Sequence, residues 1–408
     1  MSDTAVVRTS VIVVSRHRAA ALTRCLTGLA QLDHTDFEVI VVADPEGLAA
    51  TEDLAVKRVA FDAPNISAAR NAGLRQAAAP VVAFIDDDAV PEPTWLCRLT
   101  APFADLRVAA AGGFVRGRNG ISFQWQASSC DRMGQTSPLM VDETAPSLHA
   151  PTAGQAIRTE GTNCAFRRDT ILQLGGFDPS FQFYLDETDL NMRLAAEGHL
   201  TAIVPGAQVH HGFAASARRA VDRAPTDLHQ IGASMAVFWR KYAPARADLE
   251  AASATLIARQ RNRLLRYMID GALEPQDVAP ILATLQAGLR EGRARPLPDL
   301  APLMSDTTAF LPFPAGPRPR RIIAGRVWQA WRKRRAAARA AARGDLVTLL
   351  LFGPSIRRHR HWFHPQGYWE QNGGLWGRAG RQDPFFRPFG FRARVRHEAS
   401  RIADLRNP

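Results

Sequence analysis

Short apolar runs alternate with helically spaced apolar positions through roughly the first 115 residues. Strands are predicted at 10–15 (SVIVVS), 37–43 (FEVIVVA), 56–61 (VKRVAF) and 80–85 (PVVAFI). A run such as VIVV has no polar face, so it belongs to a sheet covered on both sides, and helices predicted over 19–31 and 67–78 supply the cover. The expected fold class is therefore doubly wound α/β. From 151 to 213 the pattern is less regular; strands at 161–167 and 200–205 and a helix over 187–197 extend the sheet into a mixed one. Residues 225–292 are rich in Ala, Leu and Arg at helical spacing and predict two or three helices, with Pro244, Pro275 and Pro280 near their ends. A proline-rich linker follows over 296–319, then a basic stretch over 318–343 expected to be helical, then an aromatic, glycine-rich tail over 352–391. No internal repeat is visible.

A chain of 408 residues exceeds the usual size of one core, so two domains, or one domain with a large appendage, are expected. Its hydrophobic fraction of 46% fits a globular protein, and no stretch reaches the roughly 20 apolar residues of a membrane-spanning helix. The N-terminus carries an acid and runs into the first strand without a secretory hydrophobic region, which favours a cytoplasmic start. Cys25, Cys97, Cys130 and Cys164 are far apart and form no CxxC pair, so they are expected to be reduced and structural. The net charge of +12 would suggest a polyanion partner, but the excess is local: residues 318–343 hold ten Arg and Lys and no acid.

The sharpest chemical signal is Asp86-Asp87-Asp88, directly after the strand PVVAFI. Ligands of open α/β sheets bind beyond the carboxyl ends of strands, and a divalent cation offsets the repulsion of adjacent carboxylates. Hard oxygen ligands suit Mg²⁺ or Mn²⁺, which can bridge to a diphosphate; the bland alternative is a solvated acidic turn. A second acid group, Asp186, Glu187 and Asp189, opens a helix, where simple capping competes with function. It follows Gly161-Thr162-Asn163 and Gly175-Gly176, loop signals that let backbone approach a ligand. At the helix starting near Asn65, free backbone N–H groups and Arg70 could meet phosphate or nucleotide, against ordinary N-capping by Asn65 and Ser67. Either His210 or His211, after the apolar run 203–209, could join a metal site, against a structural role for the pair. Trp125 could stack on a sugar, although an interior position is the expected one.

The order VIVVSRHR, VIVVAD, NISAARNAG, FIDDD, GTNCAFRR, GGFD, LDETDLNMRL, VHH resembles the family 2 glycosyltransferases, whose catalytic domain has the GT-A fold, over residues 8–215. The resemblance implies a GT-A mixed sheet with helices on both faces, followed by a helical region and a basic C-terminal extension. The corresponding division is 1–215 catalytic, 216–295 helical, 296–319 linker and 320–408 extension. Ser15 and Arg16 then fall at the nucleotide pocket, Asp44 near the base, and Arg70, Asp87 and Asn163 in the donor site. Asp86 and Asp88 match the DXD metal motif, with His211 or His210 as a further ligand of Mn²⁺ or Mg²⁺. Glu187 falls on the second position of the family's acid pair and is expected to be the general base, with Asp186 and Asp189 beside it. Two departures stand out: the pair reads Asp186-Glu187 rather than the commoner reverse order, and the first motif has Ser15 before Arg16 rather than Asn.

The implied reaction is inverting displacement by an acceptor hydroxyl on a nucleotide-sugar donor, serving a bacterial surface polysaccharide or glycoconjugate. The acceptor would be a sugar or glycolipid. Residues 318–343 read either as a helix lying on an acidic polymer or on the anionic inner face of the cell membrane, because Ile322, Ile323, Val327, Trp328 and Trp331 interleave with the arginines, or as a docked or disordered tail. A sugar-phosphate nucleotidyltransferase would want a glycine-rich loop after the first strand, which SRHRAAALTR lacks. A protein that binds nucleic acid or another polyanion would avoid the acids at 86–88 and 186–189 in its cleft, so nucleic acid is not an expected partner.

Overall fold

A computed structural model of the chain describes residues 6–212, 220, 222–306 and 308–406. Met1–Ala5, on which the cytoplasmic start partly rests, and Phe213, at the end of the irregular region, lie outside the described residues. In chain order the first elements are β1 (Thr9–Ser15), α1 (Ala19–Leu29), β2 (Phe37–Ala43), α2 (Pro45–Ala49), β3 (Lys57–Ala60), α3 (Ile66–Arg75), β4 (Val81–Asp86) and β5 (Ala89–Pro91). Next come α4 (Trp95–Thr100), β6 (Val108–Arg116), β7 (Phe123–Trp125), β8 (Ser128–Asp131), β9 (Thr136–Pro138), β10 (Ser147–His149), β11 (Gln155–Arg158) and β12 (Cys164–Arg167). The catalytic-length stretch closes with α5 (Arg168–Gln173), α6 (Asp186–Ala196) and β13 (Leu200–His211).

Ten of these strands form one mixed sheet in the order β10-β13-β6-β12-β4-β1-β2-β3, with β5 added to β13 and β7 to β6. The period of two in β1 sends Val11 and Val13 to one face and Ile12 to the other. The first face is covered by Leu22, Leu26 and Leu29 of α1 with Trp95, Leu96 and Leu99 of α4. The second is covered by Ala69 and Leu74 of α3 and Leu190 and Leu194 of α6. Helix α3 lies close because Gly73 has no side chain: a Cβ there would stand 2.7 Å from Ile12 Cγ2. Burial on both faces is what the unbroken apolar runs require.

Two predicted strands differ in extent. The one expected over 161–167 begins only at Cys164, because Glu160 and Asn163 close a turn. The one expected over 200–205 runs on to His211 through an irregularity between Val204 and Gln208, which re-registers it against β6. Three helices follow: α7 (His229–Tyr242), α8 (Leu249–Ile269) and α9 (Pro275–Ala294), with Pro280 inside α9 rather than at an end. Residues 296–306 and 308–319 form a strap against the catalytic half: the Leu303 N–H donates to the Leu172 carbonyl at 2.8 Å, and Phe313 is buried against Phe37, with its N–H donating to the Phe37 carbonyl at 2.9 Å.

The basic stretch is not one helix. It divides into β14 (Arg320–Arg326) and α10 (Ala330–Ala342), because Ile322 to Ala324 pair with the apolar run that follows. That run is β15 (Leu346–Gly353), and the aromatic tail folds into β16 (Arg360–His364), β17 (Tyr368–Gly374) and α11 (Phe391–Arg406). Apart from a small three-stranded sheet, β11-β8-β9, the result is a second sheet, of four strands ordered β14-β15-β17-β16, with α10 on one face and α11 on the other.

Candidate active site

Strands β1, β2 and β4 are parallel neighbours, with Val14 level with both Val42 and Asp86, so their carboxyl ends open on one rim. Ser15, Asp44 and Asp86 to Asp88 all emerge there. His17 takes a left-handed backbone (φ 55°), a conformation costing an L-residue about 1 kcal/mol. The bend lets its N–H donate to Asp44 Oδ1 at 3.1 Å, at the buried end of β2. Arg16 turns outward to Asp62 at 2.8 Å.

The acid triplet splits at the turn that follows β4, which ends at Asp86. Asp87 points into the protein, is fully buried, accepts from Ser15 Oγ at 2.7 Å and pairs with Arg18 at 2.6 Å. Burial, partly offset by Arg18, pushes its carboxyl up to about 7. Asp86 and Asp88 face the other way and meet His211, whose Nε2 lies 3.1 Å from Asp88 Oδ1 and 3.8 Å from Asp86 Oδ2. All three offer ligand atoms within 4.8 Å of one another. Two carboxylates and an imidazole form a donor set that fits a hard divalent cation, with Asp86 the most exposed of the three. The backbone holds this set: Ala89 of β5 pairs with His211 of β13, and Gly212 N–H donates to the Asp88 carbonyl at 2.8 Å. Trp125 is half-buried with its ring 5.6 Å from the His211 imidazole, at the edge of this set rather than in the interior.

Arg70 forms the facing wall. It is nearly buried against Phe84 and Phe177, pairs with Asp186, reaches Asp86 at 3.5 Å and donates to the Gly161 carbonyl at 3.0 Å. Gly161 is needed there, since a Cβ would stand 2.5 Å from Arg70 Nη2. Tyr184 and Leu185, immediately before α6, are both left-handed (φ 73° and 66°), which is strain stored at the start of the acid pair. Asp186 is held by Arg70; burial raises its pKa against that arginine. Glu187 lies 3.7 Å from Arg158, which is nearer to Glu160 at 3.0 Å. Burial, opposed by Arg158, pushes Glu160 up to about 8.

Other expected site residues lie elsewhere. Asn163 is not at the donor site: its Oδ1 accepts from Trp95 Nε1 at 2.7 Å and its Nδ2 donates to the Phe114 and Ala207 carbonyls, so its polar capacity is spent inside the core. His210 is not with the metal set, because adjacent strand residues face opposite ways. It meets Glu92 at 2.8 Å, and Arg406 of α11 fills that second cluster. Asp189 is fully buried and taken by Arg193, Lys241 and Tyr242, which ties α6 to α7. Arg18, Arg158 and Glu160 belong to the site and carry no sequence signal beyond being charged residues near motifs; only folding brings them to the acids.

A family model described as "Glycosyltransferase like family 2" matches residues 7–224. The O-antigen biosynthesis protein RfbC of Myxococcus xanthus is 27% identical over 264 residues, which is 58% of this chain and 19% of that protein. The pre-mycofactocin glycosyltransferase of Mycobacterium tuberculosis (strain CDC 1551 / Oshkosh) is 28% identical over 214 residues, 50% of this chain and 42% of that one. The chain thus spans less than half the length of these relatives. A mannosyltransferase from Pyrobaculum calidifontis, solved with GDP-Man and Mn²⁺, superposes with a TM-score of 0.43 at 18% identity over 71% of this chain and 88% of that one. GalNAc-T7, solved with UDP, GalNAc and Mn²⁺, gives 0.43 at 18% identity over 51% and 44%.

Proposed function

Because the chain belongs to glycosyltransferase family 2, by a match over residues 7–224, we propose that it transfers a sugar with inversion from a nucleotide-sugar donor to an acceptor hydroxyl. The observation that carries the reading is the convergence of Asp86, Asp88 and His211 on one rim with Arg70 and the pair Asp186-Glu187 facing them.

Asp86, Asp88 and His211 would hold Mn²⁺ or Mg²⁺. When bound, that ion supplies Lewis-acid stabilisation to the leaving diphosphate. Asp87, turned inward, ties β4 to Ser15 and Arg18 rather than adding a ligand. Arg70, charged and clamped between Asp186 and Asp86, braces both acid groups and presents positive charge to the donor. Ser15, Arg16 and Asp44 ring the strand ends where the nucleoside would sit. Asp186 is occupied by Arg70, so Glu187 is the acid left to take the acceptor proton as the new bond forms. Asp189 holds the helix that presents Glu187. The product class in this reading is a bacterial surface polysaccharide or glycoconjugate, with a sugar or glycolipid acceptor, and the protein is cytoplasmic and peripheral at the membrane. No helix among the described residues is long and apolar enough to cross a membrane.

The test is a panel of UDP-, GDP- and dTDP-sugars assayed for release of nucleoside diphosphate with Mn²⁺, Mg²⁺ or excess EDTA. Release from one donor class that stops in EDTA is the expected result. Neither binding nor hydrolysis of any donor would overturn the reading.

A further inference from the structure

Helix α10 rests on the second sheet through Ala337 and Ala340, which pack on Val347, Leu349, Leu351 and Tyr368. Its opposite side carries Trp331, Arg335 and Arg339, spaced by four and so aligned on one stripe, with Arg332 beside it. Trp328 stands one turn before. Trp328 is 69% and Trp331 71% exposed, an unusual place for two large indoles. Arg335 lies over the Trp331 ring at 4.6 Å, so this cation rides on an indole instead of an acid, while Arg326 sits between the Phe391 ring at 4.4 Å and the Trp328 ring at 5.8 Å. Arg334, exposed beside Arg335, is paired with buried Glu370 at 2.7 Å. Among the described residues Arg332, Lys333, Arg335 and Arg339 have no carboxylate partner.

We propose that this stripe, Trp328, Trp331, Arg332, Arg335 and Arg339, is a docking surface for an anionic phospholipid bilayer. Indoles prefer the boundary between headgroups and acyl chains, and arginines with apolar stems reach from there to lipid phosphates. Trp331, Arg335 and Arg339 also line an open surface hollow with Arg334, Ala338 and Gln366, so guanidinium groups and an indole converge where a lipid phosphate fits beside apolar surface, whereas a soluble polyanion would need the cations without the exposed indoles. Ile322 and Ile323, which a single long helix would have added to that face, are elsewhere: Ile323 packs beneath α10 and Ile322 faces α11. The C-terminal sheet contacts the catalytic half, since Gln31 after α1 donates to the Gly367 carbonyl at 2.7 Å and Arg320 pairs with Asp33 at 2.8 Å. The inference gives the peripheral location proposed above a surface and a lipid chemistry, and it does not depend on the transferase chemistry.

Flotation of the full chain tests it, with vesicles of phosphatidylcholine alone or mixed equally with phosphatidylglycerol. Binding is expected only with phosphatidylglycerol and should weaken when salt rises from about 0.1 M to about 0.5 M. Arg335→Glu with Arg339→Glu should reduce binding at least about 20-fold, and Trp328→Ala with Trp331→Ala should reduce it at unchanged charge. These positions are exposed, so circular dichroism should match the parent. Equal flotation of parent and variants, binding to heparin but not to vesicles, or self-association through the indoles without vesicle binding would each overturn the proposal. A chain that floats but turns over no donor would overturn the transferase reading and leave this one standing.

Discussion

Strand β13 ends in two histidines that belong to opposite clusters built from similar parts. His211 meets Asp86 and Asp88 on the rim; His210 meets Glu92 and His361 in the interior. Both sets put carboxylate and imidazole within coordinating distance, yet only one suits a metal. In the second, Arg406 donates to both Glu92 oxygens at 2.7 and 2.9 Å, to Thr348 at 2.9 Å and to His361 Nε2 at 2.9 Å, and lies 4.2 Å from the Trp369 ring centre. That carboxylate has its cation, and its pKa is driven well below the ordinary range: burial alone would raise it, and Arg406 and His210 reverse the direction. A buried ion pair with its hydrogen bonds complete is a structural joint, here between the last helix and the catalytic sheet. At the rim cluster the arginines described stand farther off, Arg70 from Asp86 and Arg18 from Asp88, each at 3.5 Å. The acid pair at α6 repeats the contrast, with Asp186 bound by arginine and Glu187 at a longer distance from one.

The comparison breaks first, and hardest, at Asp88. Asp88→Asn is expected to lower metal-dependent turnover roughly 10³-fold or more, since several kcal/mol of charge stabilisation go with the ion. Thermal stability without metal should be unchanged or higher, because one of the repelling acids is gone. Full turnover in EDTA would contradict the assignment.

Within the α6 pair, Glu187→Gln should cost roughly 10²- to 10⁴-fold in kcat at unchanged donor affinity. Asp186→Asn should lose less in kcat and more in stability, because it strips Arg70 of its nearest partner. Steady-state kinetics and melting curves of both variants decide it; the reverse pattern would move the base to Asp186.

Arg406→Met sharpens the contrast from the other side. It leaves Glu92 buried and unpaired, which should destabilise the fold by roughly 3–5 kcal/mol, and adding Glu92→Leu should recover much of the loss. Well below the melting temperature the concentration of Mn²⁺ giving half-maximal activity should not move. A shifted Mn²⁺ requirement in a folded variant would mean that the second cluster acts on the first.

The smallest effect is one of pH. Glu160, at about 8, and Asp87, at about 7, bind protons in the folded chain that the unfolded chain has released above about pH 4. The folded state holds more protons in that window, so stability of the metal-free protein should fall as pH rises from about 5 to about 8. Chemical denaturation across that range should show the slope, and Glu160→Gln should flatten it. Glu92 acts oppositely: its stabilisation is present above the unfolded carboxylate pKa and disappears only in acid.

Much of the catalytic half was legible along the chain because its determinants are local. An apolar run of strand length, a helix that opens on acids and three aspartates at a strand end need only their neighbours, and β1, β2, β4 and α6 lie within a residue or two of their predicted bounds. The C-terminal region misled because a run of arginines reads as a solvated helix, whereas the partner that makes 320–326 a strand lies at 346–352.

By itself, then, the sequence determined the alternating α/β frame, the family and the acids at the strand ends, all consequences of periodicity and of motifs short enough to read in order. Tertiary structure alone decided which acid has its cation. Asp87 and Asp186 receive arginines from other elements, Arg406 crosses 314 positions to neutralise Glu92, and Asn163 is spent on Trp95. The state of a carboxylate depends on charges and burial within a few ångströms in space, and the linear order of residues does not record that distance.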